Sequence, residues 1–268
     1  MVKNKSLITN IHDYPVVIVF DLDETLGYFS EFSLLWNYLL VKQQKKISEI
    51  HLQFCFNDIF DKFPELLRPL IIDILKSLMR KKLHYRFEIM LYTNNNGSKK
   101  WIHHIVKYLE YKINQEFKLE SSIFFKIIYA FKVNGKRVEL KRTTCDKTFD
   151  DFLSSTSLPK STQICFIDDT YYPNMDVKNV FYINVEPYTY HFNTVNILQR
   201  IKESFYYRKH YLNIDENKLV SFLSSHLYLD KNNLHMSKEN VKRSIDIIDS
   251  KAIWKFLNEF LMEFCYKY

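Results

Sequence analysis

Short apolar runs punctuate the chain, and several of them end abruptly in polar residues. The first run, VVIVF at 16–20, is apolar at every position and is followed directly by DLDET at 21–25. A short β-branched run without alternation indicates a strand buried on both faces, as in a parallel sheet. Further apolar runs at 87–92, 124–131, 164–167 and 181–185 predict four more strands.

Apolar residues between these runs recur at helical spacing. One predicted helix contains Leu67, Leu70, Ile71, Ile74, Leu75 and Leu78, and another contains Trp101, Ile102, Ile105 and Leu109. Residues of about 29–66 also have helical character and follow the first strand as an insertion. Strands that alternate with helices predict an open α/β fold whose mainly parallel sheet is flanked by helices.

The chain after residue 195 has a mostly helical pattern. Ile245, Ile248, Ala252 and Phe256 recur near one face of a late helix, and Phe260 continues that face. We therefore predict a core domain at 1–195 and a helical extension at 196–268 that packs on the core. A separate small module is the alternative.

Composition and charge narrow the class of protein. The 268 residues are 47% hydrophobic, and 38 basic against 31 acidic residues give a net charge of +7, which favours anionic partners such as phosphoproteins or nucleic acid. The four cysteines show no CxxC spacing, which suits a reducing compartment. The N-terminus lacks an apolar signal core, and no stretch approaches the ~18 apolar residues of a membrane span. We expect a soluble intracellular protein, cytoplasmic or nuclear, without a membrane partner.

Polar clusters follow three of the predicted strands, namely Asp21 with Asp23, Thr93 with Asn94, and Asp168 with Asp169. If these strands are parallel neighbours, the clusters converge at the carboxyl edge of the sheet, where open α/β sheets bind ligands. Two carboxylates about 4 Å apart repel by roughly 4 kcal/mol at an effective dielectric constant of about 20, so four of them require a cation. Oxygen ligands without histidine or cysteine favour Mg²⁺.

The same residue types suit phosphoryl transfer. One carboxylate near a metal can stay ionised and attack phosphorus, while a second exchanges a proton with the leaving oxygen and with water. Thr93 offers a hydroxyl to a phosphoryl oxygen, and the amides around Asn94–Gly97 lead into a helix N-terminus, which is an anion site. A lysine is also needed to neutralise developing charge, and Lys147 and Lys141 are the candidates. Asn95 and Asn96 are interpreted as loop or cap residues.

The sequence FDLDETL at 20–26 resembles the first motif, DxDx[TV], of the haloacid dehalogenase superfamily. Its DLDETL form is similar to the branch that dephosphorylates the C-terminal tail of RNA polymerase II, together with the related NLI-interacting-factor-like phosphatases. LRP at 67–69 resembles the start of the helix before that branch's second motif. LYTNN at 91–95 and ICFIDD at 164–169 resemble the second and fourth motifs. The resemblance spans roughly 16–187 and implies a Rossmann-like fold.

This resemblance implies a role for each matching residue. Asp21 would be the nucleophile, Asp23 the general acid and base, and Thr93 with Asn94 phosphate-binding. Mg²⁺ would be held by Asp21, the Asp23 backbone carbonyl and Asp168, with Asp169 acting through water. The third-motif lysine maps best to Lys147, which lies 21 residues before Asp168 and precedes a helix-like segment at 148–153, with Lys141 as the alternative.

The expected activity is a Mg²⁺-dependent phosphomonoester hydrolase that acts on phosphoserine or phosphothreonine in proteins. The alternatives are a nucleic-acid end phosphatase, a small-metabolite phosphatase, and a non-catalytic binding module. Three features depart from the family: the helical insertion replaces a short strand-rich flap, the fourth motif ends in Asp168-Asp169 instead of Asp-Asn, and the helical tail has no counterpart. We expect the insertion at 29–63 to lie over the active-site mouth and to leave a groove. Gly27 and Gly97 are expected to need backbone angles that other residues avoid.

Overall fold

The structure is a computed structural model that describes residues 15–43, 47–117, 122–192, 194–211, 214–226 and 235–265; the side chains of 194, 195 and 235–241 are outside the description. Seven strands are β1 (Val16–Phe20), β2 (Glu88–Tyr92), β3 (Lys126–Ile128), β4 (Lys132–Val133), β5 (Lys136–Arg137), β6 (Gln163–Asp168) and β7 (Val180–Asn184) within these ranges. The helices there are α1 (Ser30–Lys42), α2 (Glu49–Phe60), α3 (Ile71–Lys82), α4 (Lys99–Asn114), α5 (Phe149–Thr156), α6 (Thr194–Lys202), α7 (Phe205–His210), α8 (Glu216–His226) and α9 (His235–Phe264). None of these helices is both long and apolar enough to cross a membrane.

Five of the strands form one sheet in the order β3-β2-β1-β6-β7, and all four pairings are parallel. The α/β class with a parallel sheet flanked by helices is therefore confirmed. The direction in which successive strands are added reverses beside β1, so the chain leaves a crevice between the carboxyl ends of β1 and β6. Phe20 lies opposite Ile167 on one side and Leu91 on the other, which aligns the ends of these three strands.

The central strand β1 is buried along its whole length, as its unbroken apolar run predicts. Ile18 and Phe20 belong to the larger core on one face of the sheet. Val17 and Val19 point to the smaller core on the other face, where Phe152 of α5 packs. Because successive side chains of a strand alternate between faces, only an apolar residue at every position can supply both cores.

The predicted strand at 124–131 is shorter than its apolar run. Only Lys126–Ile128 joins the sheet, and the chain then turns into a small hairpin made of β4 and β5. Asn134 and Gly135 form its turn with φ of 50° and 75°, and these left-handed angles match the Asn-Gly hairpin signal. The hairpin prediction is therefore confirmed.

The insertion at 29–66 contains α1, α2 and a 3₁₀ turn, Pro64–Leu66. Most of its aromatic side chains are buried in the larger core, among them Phe32, Trp36, Phe56 and Phe60. α2 packs on α4 and α7, so the insertion is part of the core and not a separate flap. Among the described residues, no hydrogen bond or ion pair joins a side chain of 29–63 to Asp21, Asp23, Asp168 or Asp169. Its expected position over the active-site mouth stays a prediction.

Helix α9 packs through a different face from the apolar one at Ile245, Ile248 and Phe256. Ile245, Ile248 and Phe256 have exposed fractions of 50%, 63% and 39%. The buried residues are Ile253, Leu257, Phe260 and Leu261, and α9 contacts β6 and β7. Of the residues that the sequence places on one face, only Phe260 is among these buried positions. This helix carries two apolar stripes with the same spacing, and periodicity cannot indicate which one meets the sheet.

The chain enters and leaves the insertion at one neck. Tyr28 N donates to Leu66 O at 2.7 Å, and Arg68 N donates to Leu26 O at 3.0 Å. Gly27 lies in this neck, where an added Cβ would come within 2.4 Å of Leu66 O. Neither Gly27 nor Gly97 has a positive φ. The prediction about their angles is wrong, because Gly27 is required by close backbone approach instead.

We predict that Gly27→Ala destabilises the protein by about 1–3 kcal/mol, because the new methyl group meets a backbone carbonyl that cannot move without opening the neck. Denaturant unfolding would measure the loss. Gly135→Ala is the comparison: its Cβ meets nothing within 4 Å, and only its φ of 75° opposes the change. Both variants should fold, but only Gly27→Ala should disturb residues 21–28. A Gly27→Ala protein as stable as the wild type would contradict this packing.

Candidate active site

The polar clusters predicted from the sequence meet at the carboxyl edge of the sheet. Asp21 directly follows β1, and its backbone N donates to Ile167 O at 2.9 Å, which places it level with Asp168 at the end of β6. Thr93 follows β2, and its N donates to Ile128 O at 3.0 Å. The crevice beside β1 is thus lined by residues from three neighbouring strand ends.

Lys147 lies at the centre of this group. Its Nζ donates to Asp21 Oδ1 and, at 2.6 Å, to Asp168 Oδ2, and the side chain is fully enclosed. Thr148 begins α5 immediately afterwards, and its hydroxyl caps the helix by accepting from Asp151 N at 3.1 Å. Lys141 is exposed instead and donates to Ser157 Oγ at 3.2 Å. Of the two candidate lysines, Lys147 is therefore the one at the carboxylates.

The electrostatics of the group follow from burial. Burial raises the pKa of Asp168 to about 7 although Lys147 lowers it, and burial likewise raises the pKa of Asp21. For Lys147 burial alone lowers the pKa, but the attraction of both aspartates outweighs it and the net pKa is raised. A single ammonium does not neutralise this many carboxylates, so the group favours a further cation.

Three of these carboxylates could hold a metal ion. Ligand oxygens of Asp21, Asp168 and Asp169 all lie within 4.8 Å of one another. Among the described residues, no histidine or cysteine belongs to this group. A hard, all-oxygen donor set fits Mg²⁺. Thr25 orients Asp169, because its hydroxyl donates to Asp169 Oδ1 at 3.0 Å and accepts from Asp169 N at 3.1 Å. The carboxylate of Asp23 is not a member of this group.

Asp23 is held by a residue that the sequence did not single out. Asn95 Nδ2 donates to Asp23 Oδ2 at 2.6 Å, while Asn95 N donates to Thr93 Oγ1 at 3.0 Å. Asn95 Oδ1 also accepts from Gly97 N at 2.7 Å. Burial and the charge of Asp21 raise the pKa of Asp23 to about 7. Asn95 therefore acts as more than a loop or cap residue, and the only signal for it was the run of three asparagines after Thr93.

The predicted phosphate-binding residues lie beside these carboxylates. Thr93 is fully buried at the end of β2. Asn94 Nδ2 donates to Tyr172 Oη at 3.0 Å, and the Tyr172 ring lies 5.4 Å from Lys147 Nζ. Asn94 thus links the loop after β2 to the loop after β6, and its phosphate role stays a prediction. Ser98 caps α4 by accepting from Trp101 N at 3.2 Å, so a helix N-terminus follows the Thr93 loop as expected.

Arg68 fixes the loop after β1. Its exposed fraction is 1%, and it donates to Thr25 O at 2.7 Å, Glu24 O at 2.7 Å and Glu186 O at 2.6 Å. The loop contains Glu24 with φ of 60°, a strained left-handed angle for a residue with a side chain. Three charge-assisted hydrogen bonds hold that loop to the segment after β7.

Arg142 fixes the segment that carries Lys147, as Arg68 fixes the loop after β1. Its exposed fraction is 0%, and it donates to Cys145 O at 2.9 Å and Asp146 O at 3.1 Å. It also donates to Tyr129 O at 3.0 Å and Thr93 O at 3.4 Å. The sequence placed Arg68 only in the LRP motif at 67–69 and did not single out Arg142, because bonds to backbone carbonyls leave no trace in a pattern of side chains.

Neither the known protein families nor the curated proteins include a match to this chain. The resemblance to haloacid dehalogenase phosphatases therefore depends on the short motifs at 20–26, 67–69, 91–95 and 164–169. The geometry of the site is independent of that resemblance.

We predict that Mg²⁺ raises the melting temperature of the protein by roughly 5–10 °C when it is present at about a hundredfold excess over its dissociation constant. Asp168→Asn should abolish this shift, because it removes a ligand oxygen and a charge. Asp73→Asn, an exposed site on α3, is the matched control and should keep it. Differential scanning calorimetry in chelator and in Mg²⁺ decides the matter. A shift that survives Asp168→Asn would place the ion elsewhere.

We predict that Arg68→Lys destabilises the protein by about 2–4 kcal/mol, because a single ammonium cannot replace three fixed donors and leaves buried carbonyls unpaired. Arg80→Lys is the control: Arg80 pairs with Glu116 at the surface and should cost less than about 1 kcal/mol. Urea unfolding of both variants gives the comparison. Equal losses would show that Arg68 is not a special support of the loop.

Proposed function

We propose that the protein is a Mg²⁺-dependent phosphomonoester hydrolase that forms an aspartyl-phosphate on Asp21. The observation that carries this proposal is the buried Lys147 bonded to both Asp21 and Asp168, beside Asp169, in the crevice at the carboxyl edge of the sheet. Such an arrangement concentrates a nucleophilic carboxylate, a cation site and a fixed positive charge in one small volume. Phosphoryl transfer needs this combination, since its catalysis is mainly positioning and charge stabilisation.

In the first step the Asp21 carboxylate attacks phosphorus, and the bond from phosphorus to the leaving oxygen breaks. Asp23 gives its proton to that oxygen, so an alcohol departs and the phosphoryl group stays on Asp21. In the second step Asp23 takes a proton from water, and the water oxygen attacks phosphorus. The bond to Asp21 breaks, and phosphate is released with both aspartates restored.

The contacts of Asp23 support its separate role. Asn95 fixes one carboxylate oxygen at 2.6 Å and is itself held through Gly97 N and Thr93 Oγ1. The carboxyl group therefore has a defined direction while it remains outside the group that could hold the ion. Two neighbouring carboxylates in different surroundings suit a division between nucleophile and proton carrier.

Other groups of the site would stabilise the negative charge of the phosphoryl oxygens. Lys147 holds Asp21 and Asp168 together and offsets charge that develops on the phosphoryl oxygens. Thr93 and the amides that lead into α4 would receive the non-bridging oxygens. Mg²⁺, held by Asp21, Asp168 and Asp169, would supply charge stabilisation at the phosphoryl group when bound.

For the substrate we propose phosphoserine or phosphothreonine in proteins, since a net charge of +7 favours acidic phosphorylated partners. A nucleic-acid end or a small metabolite is the alternative substrate on the same site. A non-catalytic binding module is the alternative of another class. It is disfavoured because Asp21, Asp23, Lys147 and Asp168 lie together with no sign of a lost group.

A panel of phosphopeptides, 3′- and 5′-phosphorylated oligonucleotides, sugar phosphates and an aryl phosphate separates these alternatives. Released phosphate would be measured with Mg²⁺ and with chelator. We expect turnover of phosphopeptides and of the aryl phosphate in Mg²⁺ only. Turnover of oligonucleotides alone would favour the nucleic-acid alternative, and phosphopeptide binding without any turnover would favour the binding module.

We predict that Asp21→Asn abolishes turnover, by about 10⁴-fold or more, while the protein stays folded. The amide has nearly the same shape but is a far weaker nucleophile, and it relieves the repulsion among buried carboxylates. Asp23→Asn should reduce kcat by about 10²–10⁴-fold, as expected for loss of a general acid and base. Asp73→Asn on α3 controls for the charge change. Wild-type rates from a clean Asp21→Asn preparation would rule out the mechanism.

A further inference from the structure

Five basic residues form a rim of unpaired positive charge next to the site. We define the basic rim as Lys99, Lys132, Lys136, Arg137 and Lys141, all of them exposed. In the described part of the chain, no carboxylate lies within ion-pair distance of any of the five. The segment 131–142 contains five basic residues and one acid, Glu139. Five basic residues against one acid give this segment a net charge of +4, in a chain whose net charge is +7.

Hydrogen bonds connect this hairpin to the site through Arg142. Arg137 Nη2 donates to Arg142 O at 2.6 Å and to Leu140 O at 2.7 Å. Arg142 in turn bonds Thr93 O and the carbonyl of Asp146, the residue before Lys147. The hairpin is thus connected, through Arg137 and Arg142, to the segments that carry Thr93 and Lys147.

The strand order sets the distance between the basic rim and Asp21. β1, β2 and β3 are successive neighbours, so the end of β3 lies two strand spacings, about 10 Å, from the end of β1. Tyr129 is level with Thr93, and the hairpin begins a few residues later. Allowing for one further strand spacing between β3 and the rim, we infer a separation of about 10–15 Å between the basic rim and Asp21. An extended peptide rises about 3.3 Å per residue, so this distance corresponds to three to five residues.

The aromatic side chains beside the basic rim indicate which kind of ligand it would bind. Lys132 and Arg137 both lie over the Phe131 ring, at 5.0 Å and 5.2 Å, and Lys99 lies over the Tyr129 ring at 4.4 Å. Recognition of single-stranded nucleic acid requires ring faces that are open to stacked bases. Because cations already cover these rings, the rim offers charge without a stacking platform, which favours an acidic peptide over an oligonucleotide.

We propose that the basic rim binds an acidic side chain or a second phosphate located three to five residues from the phosphorylated residue whose phosphate is at Asp21. This inference rests on the proposed function and narrows its substrate to phosphorylated segments with a distal negative charge. The rim leaves the reacting atoms untouched, so it affects the capture of such a segment and not the chemical step.

The test compares phosphopeptides of one length in which a single Asp or phosphoserine is moved from one to eight residues away on either side. The variant Lys132→Glu with Lys136→Glu reverses two rim charges. Lys160→Glu with Lys178→Glu is the matched control: both lysines are exposed, lack an ion-pair partner among the residues described, and precede β6 and β7 at the opposite edge of the sheet. A Lys132→Gln with Lys136→Gln variant serves if the reversed hairpin does not fold.

We expect kcat/KM to peak with the acidic group three to five residues away. The hairpin variant should lose about three- to tenfold on those peptides and keep wild-type rates on the aryl phosphate, whereas the control should change neither. The advantage of the acidic group should also shrink at high salt. A flat position series, or an equal loss in hairpin and control variants, would overturn the proposal. Hairpin-dependent turnover of oligonucleotides in preference to peptides would also overturn it.

Binding separates this proposal from the function on which it rests. Fluorescence anisotropy with labelled peptides measures capture without turnover. If the wild type hydrolyses neither peptide nor aryl phosphate, the proposed function fails. In that case position-dependent binding that the hairpin variant loses would still support the rim as an acidic-peptide surface, and its absence would overturn both.

Discussion

The buried ion group of Lys147, Asp21 and Asp168 is the constraint on which this structure depends. Charges removed from water are tolerated only when they have close partners of opposite sign, and loss of Lys147 would leave both carboxylates uncompensated. Two carboxylates from adjacent strand ends and a lysine from a distant loop must therefore arrive together. The parallel register of β1 with β6 brings the two carboxylates together, and the segment before α5 brings Lys147 to them.

Two buried arginines connect this ion group to the rest of the fold. Arg68 and Arg142 donate to backbone carbonyls instead of carboxylates. Each therefore fixes the course of a loop without competing with Lys147 for Asp21 and Asp168. Arg68 Nη1 and Arg142 Nε have no hydrogen-bond partner among the described residues. Such a cost is acceptable where the remaining donors hold several loops at once. The two arginines that support the site are thus separate from the charged groups of Lys147, Asp21 and Asp168.

The proposals assign different tasks to neighbouring parts of one sheet edge. The crevice beside β1 suits phosphoryl transfer in general, and its groups are charged or small. The hairpin after β3 adds an exposed positive surface two strands away. Long-range charge selects and steers a ligand, while short contacts in a desolvated crevice act on the reacting atoms. Separation of the two allows selectivity to change without changes at Asp21.

The sequence by itself determined the parallel α/β class, the strand at 16–20, the Asn134-Gly135 turn and the convergence of the polar clusters, because these follow from local periodicity and from the direction of parallel strands. It also favoured Lys147 over Lys141. Only the tertiary structure decided which stripe of α9 is buried, why Gly27 is a glycine, and that Asn95, Arg68 and Arg142 support the site. Those outcomes depend on contacts between residues far apart in the chain and on backbone carbonyls, and neither is encoded in the spacing of side chains.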